Sequence, residues 1–286
     1  MDTTDPRTAA GLQRVLAMVM ARPNKRLGQN FLTGPEVFEK IATAVETTKP
    51  AWVLEIGPGP GGLTRTLLER GLEVVAMEID PTWSNWLSAS LLPGYPNVLK
   101  IVQGDALRVP WREIASERGG PWTICGNLPY NITSPVLAKL LEDVTSWSAA
   151  VLMVQKEVGV RLLAEPGNRE TSALSVLLRY VAYVQGLGEV SRDQFYPAPE
   201  VDSFVIQLTR IPSPAVPFES FQWVVRAAFL HRRKMIRQSL AQAPGSPWSA
   251  RKWEGILSEG GIDPLKRAEA LSWAEWIQLA TLAAKR

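Results

Sequence analysis

The chain has 286 residues, 46% of them hydrophobic, with 31 Lys and Arg against 28 Asp and Glu, one cysteine and one histidine. That apolar content suffices for one large domain and a small one, and no apolar run reaches the ~18–20 residues of a membrane-spanning helix. Cys125 alone excludes an intramolecular disulfide. A Cys/His metal site or a nucleophile–histidine triad would have to draw on Cys125 and on His231 within "HRRK", so neither chemistry is expected.

The net charge of +3 is unevenly spread: residues 211–286 carry 11 Lys/Arg and 6 Asp/Glu, residues 51–210 carry 13 and 17, and residues 1–50 carry 7 and 5. Basic flanks around an acidic middle suggest a polyanionic partner gripped by the ends.

In chain order, "LQRVLAMVMA" is broken by Gln13 and Arg14 and preceded by Asp2 and Asp5 instead of lysines. It therefore reads as an amphipathic extension over 8–22, not a secretory signal, and a cytoplasmic protein is expected. From residue 51 apolar strands alternate with helical patterns. "AWVLEI" (51–56) leads through glycines to a helix ending near Arg70, and "LEVVAMEI" (72–79) leads to a helix opened by Pro81. "NVLKIV" (97–102), "WTIC" (122–125) and "AAVLMV" (149–154) follow. This rhythm predicts a largely parallel sheet covered on both faces. Helical segments near 156–163 and 171–181 precede "YVQGLGEV" and "SFVIQLTR", a closing strand pair around a Pro-rich loop. "RIPSPAVPF" (210–218) reads as a linker, and beyond it helices are expected at 219–241, 249–259 and 271–284. The expected division is an extension over 1–24, an α/β domain over 25–210 and an all-α domain over 211–286.

"LEIGPGPGGLT" (54–64) follows a strand and opens a helix. Its glycines at 57, 59 and 62 fit a dinucleotide loop, and those at 57, 59 and 61 fit an S-adenosylmethionine (AdoMet) loop equally well. A pyrophosphate is held by backbone N–H donors at a helix start, and Pro58 and Pro60 remove two of them. AdoMet has no phosphate and needs only close approach of the backbone, here at Gly57 and Gly59. Glu78 ends the second strand, where a carboxylate can accept from ribose hydroxyls. Asp105, in "GDAL" at the third strand end, is placed to bond the adenine amino group, although alone it would read as a turn or cap residue.

"NLPYNIT" (127–133) ends the fourth strand. A sulfonium methyl group is already electrophilic, so its acceptor needs orientation more than activation. For an adenine amine, the Asn127 side-chain oxygen and the Leu128 carbonyl would accept from the nitrogen and draw it toward a tetrahedral shape. Pro129 would set the turn that aims the carbonyl, and Tyr130 would offer a stacking face to a flipped-out base. Phe195, ahead of "PAP", is a candidate second aromatic wall, with a core or hinge aromatic as the alternative. Trp83/Trp86 and Trp273/Trp276, at helical spacing, read as packing.

"KRLGQNFL" (25–32), "EIGPGPGGLT", "EID", "GDAL", "NLPYNITSP" and "FYPAPEVDS" (195–203) together resemble the ribosomal RNA adenine N6-dimethyltransferases, over about residues 22–286. "HRRKMIRQSL" (231–240) and "GIDPLKRAEALS" (261–272) are similar to the housekeeping small-subunit members. The resemblance implies a Rossmann-like class I AdoMet-dependent methyltransferase with a small C-terminal all-α domain. It implies dimethylation of two adjacent adenosines in a hairpin loop near the 3′ end of 16S rRNA, within a small-subunit precursor. It places AdoMet contacts at Asn30, Leu32, Gly57, Glu78, Asp105 and Asn127, with Gln29 shaping the same lid. The extension before residue 22 is not part of the shared pattern, and His231 stands where the family often has glutamine. Two rivals are a sister enzyme acting on 23S rRNA and a non-catalytic nucleic-acid-binding assembly or transcription factor.

On one helix over 219–241, Arg226, Arg233 and Arg237 would share a stripe with Lys234 beside it, opposite Phe221, Val225, Phe229, Met235, Ile236 and Leu240. With Arg232, and with Arg22, Lys25 and Arg26 near the N-terminus, these are the expected RNA contacts. No metal and no membrane partner are expected, and the expected state is a monomer.

Overall fold

The structure, a computed structural model, describes residues 4–142 and 146–284. The first three and last two residues of the expected domain ranges lie outside them. Seven strands form one sheet among the described residues: β1 Trp52–Ile56, β2 Val74–Glu78, β3 Leu99–Gln103, β4 Trp122–Asn127, β5 Ala149–Gln155, β6 Ala182–Val190 and β7 Ser203–Arg210. Their order is β3-β2-β1-β4-β5-β7-β6. The pairs β3/β2, β2/β1, β1/β4 and β4/β5 are parallel, and β7 runs antiparallel to β5.

The burial along each strand follows its place in this order. Every residue of β1 and β2 is buried, as expected for strands covered on both faces, whereas the edge strand β3 is half exposed. The reversal of order between β1 and β4 opens a crevice at the carboxyl ends of the strands, where ligands bind in open α/β sheets. Gly57 follows β1 at φ 68° and Gly61 caps the next helix at φ 90°. The chain can thus turn from Ile56 into the helix Gly62–Glu69 within five residues. Gly126 allows β4 to lie close to β1, since a Cβ there would fall 2.4 Å from the Ile56 carbonyl oxygen.

The described residues divide into two compact units. One comprises the chain up to Gly159 together with Gln185–Arg210; the other comprises Val160–Val184 and Ile211–Arg286. The expected α/β domain runs through 25–210, so the assignment of 160–184 to the second unit differs from it. Packing gives the reason. The Tyr180 ring lies 5.1 Å from Phe218 and 4.8 Å from Phe221, and its hydroxyl donates to the Val216 carbonyl. The amphipathic helix Ala173–Val181 therefore buries its apolar face among the C-terminal helices.

The second unit corrects the sequence reading at another point. The single helix expected over 219–241 is two helices, Phe218–Phe229 and Ile236–Gln242, separated by a turn. The Ser239 hydroxyl takes over the end of the first helix: it donates toward the Ala227 and Ala228 carbonyls at 3.0 and 2.8 Å and accepts from the His231 N–H. Terminal carbonyls satisfied in this way need no further helical turn, and Met235 restarts the chain in an extended conformation. Arg226, Arg233 and Arg237 consequently do not share one helical stripe.

The N-terminal extension is a helix, Ala9–Met18, with Leu12, Val15 and Leu16 buried. Burial of such side chains is worth about 1.5–3 kcal/mol each, enough to hold a short helix that propensity alone would not.

Candidate active site

A cavity of about 1040 Å³, counting its open mouth, lies at the carboxyl ends of β1, β2, β3 and β4. Gly57, Gly59, Glu78, Asp105, Asn127, Leu128, Pro129, Tyr130 and Phe195 all line it, as do Gln29 and Asn30.

The glycine loop spends its own donors. Gly57 N–H bonds the Met77 carbonyl at 2.9 Å, Gly61 N–H bonds the Pro58 carbonyl at 3.0 Å, and Gly59 N–H bonds Glu78 Oε2 at 2.9 Å. Pro58 and Pro60 have no N–H. No amide of residues 57–61 is left to cradle a pyrophosphate. A Cβ built on Gly57 meets nothing within 4 Å, so this loop offers the cavity close backbone approach and open space.

Glu78 is buried, and its second oxygen accepts from Asp80 N–H at 2.8 Å. Burial raises its carboxyl above the ordinary range, against the bonds from Asp80 and Gly59, which lower it. Each bonded oxygen retains a lone pair for a ribose hydroxyl. Glu55, one residue before the end of β1, is fully buried with one carboxyl oxygen unpartnered. Burial pushes its carboxyl up to about 8, Thr64 opposes the shift and Glu78 adds to it. At neutral pH Glu55 is a neutral acid in the wall behind the loop, and Glu78 is the carboxyl group that faces the cavity.

Asp105 Oδ1 accepts from Leu107 N–H at 2.9 Å within a tight turn. That turn is pinned by Lys139, whose Nζ donates to the Ala106 and Val109 carbonyls at 2.8 and 2.6 Å and lies 4.8 Å from the centre of the Trp111 ring. Sequence reasoning missed Lys139, which gives no local signal 34 residues from Asp105. It also missed Ile79, Met77, Ala106 and Leu107, the apolar cavity walls. Ile79 is 47% exposed, and its place directly after a strand-end carboxylate was a usable signal.

The lid is built from Asn24 to Leu32. Asn24 caps the turn Lys25–Leu27 by accepting from Arg26 N–H, and Gly28 reverses the chain at φ 65°. Gln29 accepts from Asn24 N–H and donates to Asp80 Oδ2, both at 2.8 Å, so its side chain ties this segment to the residue that follows Ile79. Phe31 and Leu32 pair antiparallel with Tyr196 and Phe195. Leu32 is buried in the core and lines only a smaller space behind the loop. Phe195 is 6% exposed and belongs to the core, yet it also lines the cavity; the exposed aromatic of the pair is Tyr196, at 43%.

Asn127 Nδ2 donates to the Asn30 carbonyl at 3.0 Å. The opposite amide orientation would set two oxygens against each other, so Oδ1 is the atom left over. It has no partner among the described residues, and neither has the Leu128 carbonyl. Pro129 places its own carbonyl under the turn, where it accepts from Ile132 N–H at 3.0 Å. The Tyr130 hydroxyl bonds Ser203 Oγ at 3.1 Å and the Val201 carbonyl at 3.3 Å, which anchors the half-buried ring. Burial raises its phenol pKa, the Ser203 bond opposes this and Asp202 adds to it; Tyr130 is a neutral ring.

The basic residues separate into free and engaged groups. Arg22, Lys25 and Arg26 are exposed beside the lid, and Arg26 also lines the cavity. In the second unit Arg226 and Arg233 are exposed and have no partner among the described residues. Arg237 is half-buried and paired with Glu254 at 2.8 Å. Arg232 reaches the Arg169 and Thr171 carbonyls, and Lys234 bonds Gln242. Among the described residues no group of three or more His, Cys, Asp or Glu could hold a metal ion, and no helix is long and apolar enough to cross a membrane.

A family model described as ribosomal RNA adenine dimethylase matches residues 20–285. The ribosomal RNA small subunit methyltransferase A of Pelotomaculum thermopropionicum is 41% identical over 269 residues, covering 90% of each chain. That of Thermobifida fusca is 37% identical over 286 residues, covering 98% of this chain and 97% of its own. Among solved structures, a dimethyladenosine transferase from Plasmodium falciparum superimposes with a TM-score of 0.73 at 26% identity, covering 87% of this chain and 95% of its own. The 23S rRNA methyltransferase ErmE does so with 0.66 at 27% identity, covering 86% and 97%.

Proposed function

Because the chain belongs to the ribosomal RNA adenine dimethylase family, we propose that it uses AdoMet to dimethylate the N6 amines of two adjacent adenosines in the hairpin loop near the 3′ end of 16S rRNA. The observation that carries the chemistry is the Asn127–Asn30 hydrogen bond, which leaves Asn127 Oδ1 beside the Leu128 carbonyl as two acceptors at the cavity wall. The 37–41% identical relatives named for the small subunit favour 16S over 23S rRNA.

The residues fit AdoMet. The loop withholds amides from phosphate, Gly57 gives open space, and Glu78 and Asp105 stand at successive strand ends to accept from ribose hydroxyls and the adenine amine. Bound there, AdoMet supplies an electrophilic methyl group. The chain's own part is orientation. Asn127 Oδ1 and the Leu128 carbonyl accept both protons of the target amine and turn its lone pair toward the methyl donor. The Tyr130 ring, held by Ser203 and Val201, stacks on the flipped base. No side-chain base is needed, because the methylated nitrogen is a strong acid until it loses its proton to water. RNA is held electrostatically by Arg22, Lys25 and Arg26 and by Arg226 and Arg233. The protein acts as a monomer in the cytoplasm, on a precursor of the small subunit.

Mass mapping of ribosomal RNA from cells with and without the gene tests this reading. Two adjacent dimethyladenosines near the 16S 3′ end should vanish without it. Loss of a 23S modification instead, or no change, refutes it.

A further inference from the structure

The residues before position 20 lie outside the matched family region, yet Asp5, Pro6 and Arg7 sit against the glycine loop and the helix that it opens. Pro6 is buried and lines the small space behind that loop together with Pro58, Pro60 and Leu63. Arg7 forks between two partners: it donates to Asp5 at 2.6–3.0 Å and to Glu69, on the helix Gly62–Glu69, at 2.5 Å. Asp5 in turn lies 3.9 Å from Arg65 on that same helix. Thr8 then caps the helix Ala9–Met18 by accepting from Gly11 N–H. Gly11 permits the tight return, since a Cβ there would fall 1.8 Å from the Asp5 carbonyl oxygen.

The helix so placed buries Leu12 and Val15 against Phe31 and Trp83. Phe31 meets Trp83 edge to face at 5.0 Å. Its ring also closes on Gly59, where a Cβ would lie 3.1 Å away. Phe31 directly follows Asn30, whose carbonyl orients Asn127. Contact thus runs from the arm through Phe31 both to the glycine loop and to the lid.

We propose that the N-terminal arm, Asp5 to Leu16, is a positioning element of the cofactor site. Through the Arg7–Glu69 pair and the packing on Phe31 it holds the lid and glycine loop in their binding geometry, and so sets affinity for AdoMet but not for RNA. This rests on the AdoMet reading above. The physical basis is preorganisation: a lid ordered beforehand does not have to be ordered by the ligand.

The test uses the full chain with Arg7→Ala, Leu12→Ala and Arg7→Lys, AdoMet binding by calorimetry, and KM for AdoMet and for small-subunit RNA separately. Arg7→Ala and Leu12→Ala should each weaken AdoMet binding about tenfold and raise its KM alike, with the RNA KM unchanged. Arg7→Lys, which keeps the charge opposite Glu69, should recover most of the loss. Should Leu12→Ala not fold, the Arg7 pair carries the test. AdoMet affinity within about twofold of wild type in Arg7→Ala, or equal weakening toward RNA and AdoMet, would overturn the arm's role. Wild-type protein that does not bind AdoMet would instead overturn the functional reading.

Discussion

The Asn127 side-chain amide donates to the backbone carbonyl of Asn30, 97 residues earlier, at 3.0 Å. One hydrogen bond thereby joins the lid to the end of β4 and decides which atom of Asn127 is free. Removing the amide in Asn127→Ala should lower kcat by about 10²–10³, the scale for losing one preorganised polar group at a reacting centre. Asn127→Asp should be as damaging, because a carboxylate opposite the Asn30 carbonyl loses the donor. Single-turnover methylation of small-subunit RNA measures both, and full activity in either excludes the proposed orientation of the amine.

Glu55 makes a pH-dependent contribution to stability. Its carboxyl is ordinary, at 4.5, when solvated and is pushed up to about 8 by burial in the fold. Between these values the unfolded chain is ionised there and the folded chain is protonated, so stability falls as pH rises. The contribution is fully present below 4.5 and lost by about 8. Glu55→Gln has no such titration, and its Tm relative to wild type, without cofactor, should climb from pH 5 to pH 9. Parallel Tm profiles would show that Glu55 does not titrate in this range.

Lys139 bonds two carbonyls of the Asp105 turn and lies against Trp111. Lys139→Met keeps the stem and removes the donors. It should destabilise the fold by about 1.5–3 kcal/mol, the range for hydrogen bonds to a charged group. AdoMet should bind more weakly as Asp105 loses its fixed turn, with RNA affinity unaffected. Thermal melts and calorimetry read the two effects, and unchanged AdoMet affinity would separate the turn from the cofactor site.

These examples show which features were legible in the sequence. The strands were, because burial on both faces leaves near-continuous apolar runs such as "WVLEI" and "VVAME". The strand-end glycines, Glu78, Asp105 and Asn127 were legible because a parallel sheet brings its carboxyl ends together. Lys139, the Arg7–Glu69 pair and the Phe31–Gly59 contact were not, since each joins segments far apart in sequence with no periodic signal. The break after Phe229 was hidden as well. Helical periodicity continues through "HRRKMIRQSL", and only the Ser239 hydroxyl, folded back on Ala227 and Ala228, ends the first helix.

That break changes which arginines should matter for RNA. Arg237 is paired with Glu254 and half-buried, whereas Arg226 and Arg233 are exposed and unpaired among the described residues. A phosphate contact releases counterions, so each one lost lowers the slope of log K against log salt by roughly 1. Arg226→Ala combined with Arg233→Ala should therefore weaken binding to small-subunit RNA and flatten the slope by about 2, leaving AdoMet affinity unchanged. Arg237→Ala should leave the slope alone and lower Tm slightly, since a partly exposed ion pair is worth about 0–1 kcal/mol. Filter binding at several salt concentrations distinguishes the two variants. A slope that changes for Arg237→Ala but not for the double variant would mean that the Glu254 pair opens on binding and that Arg237 is the phosphate contact.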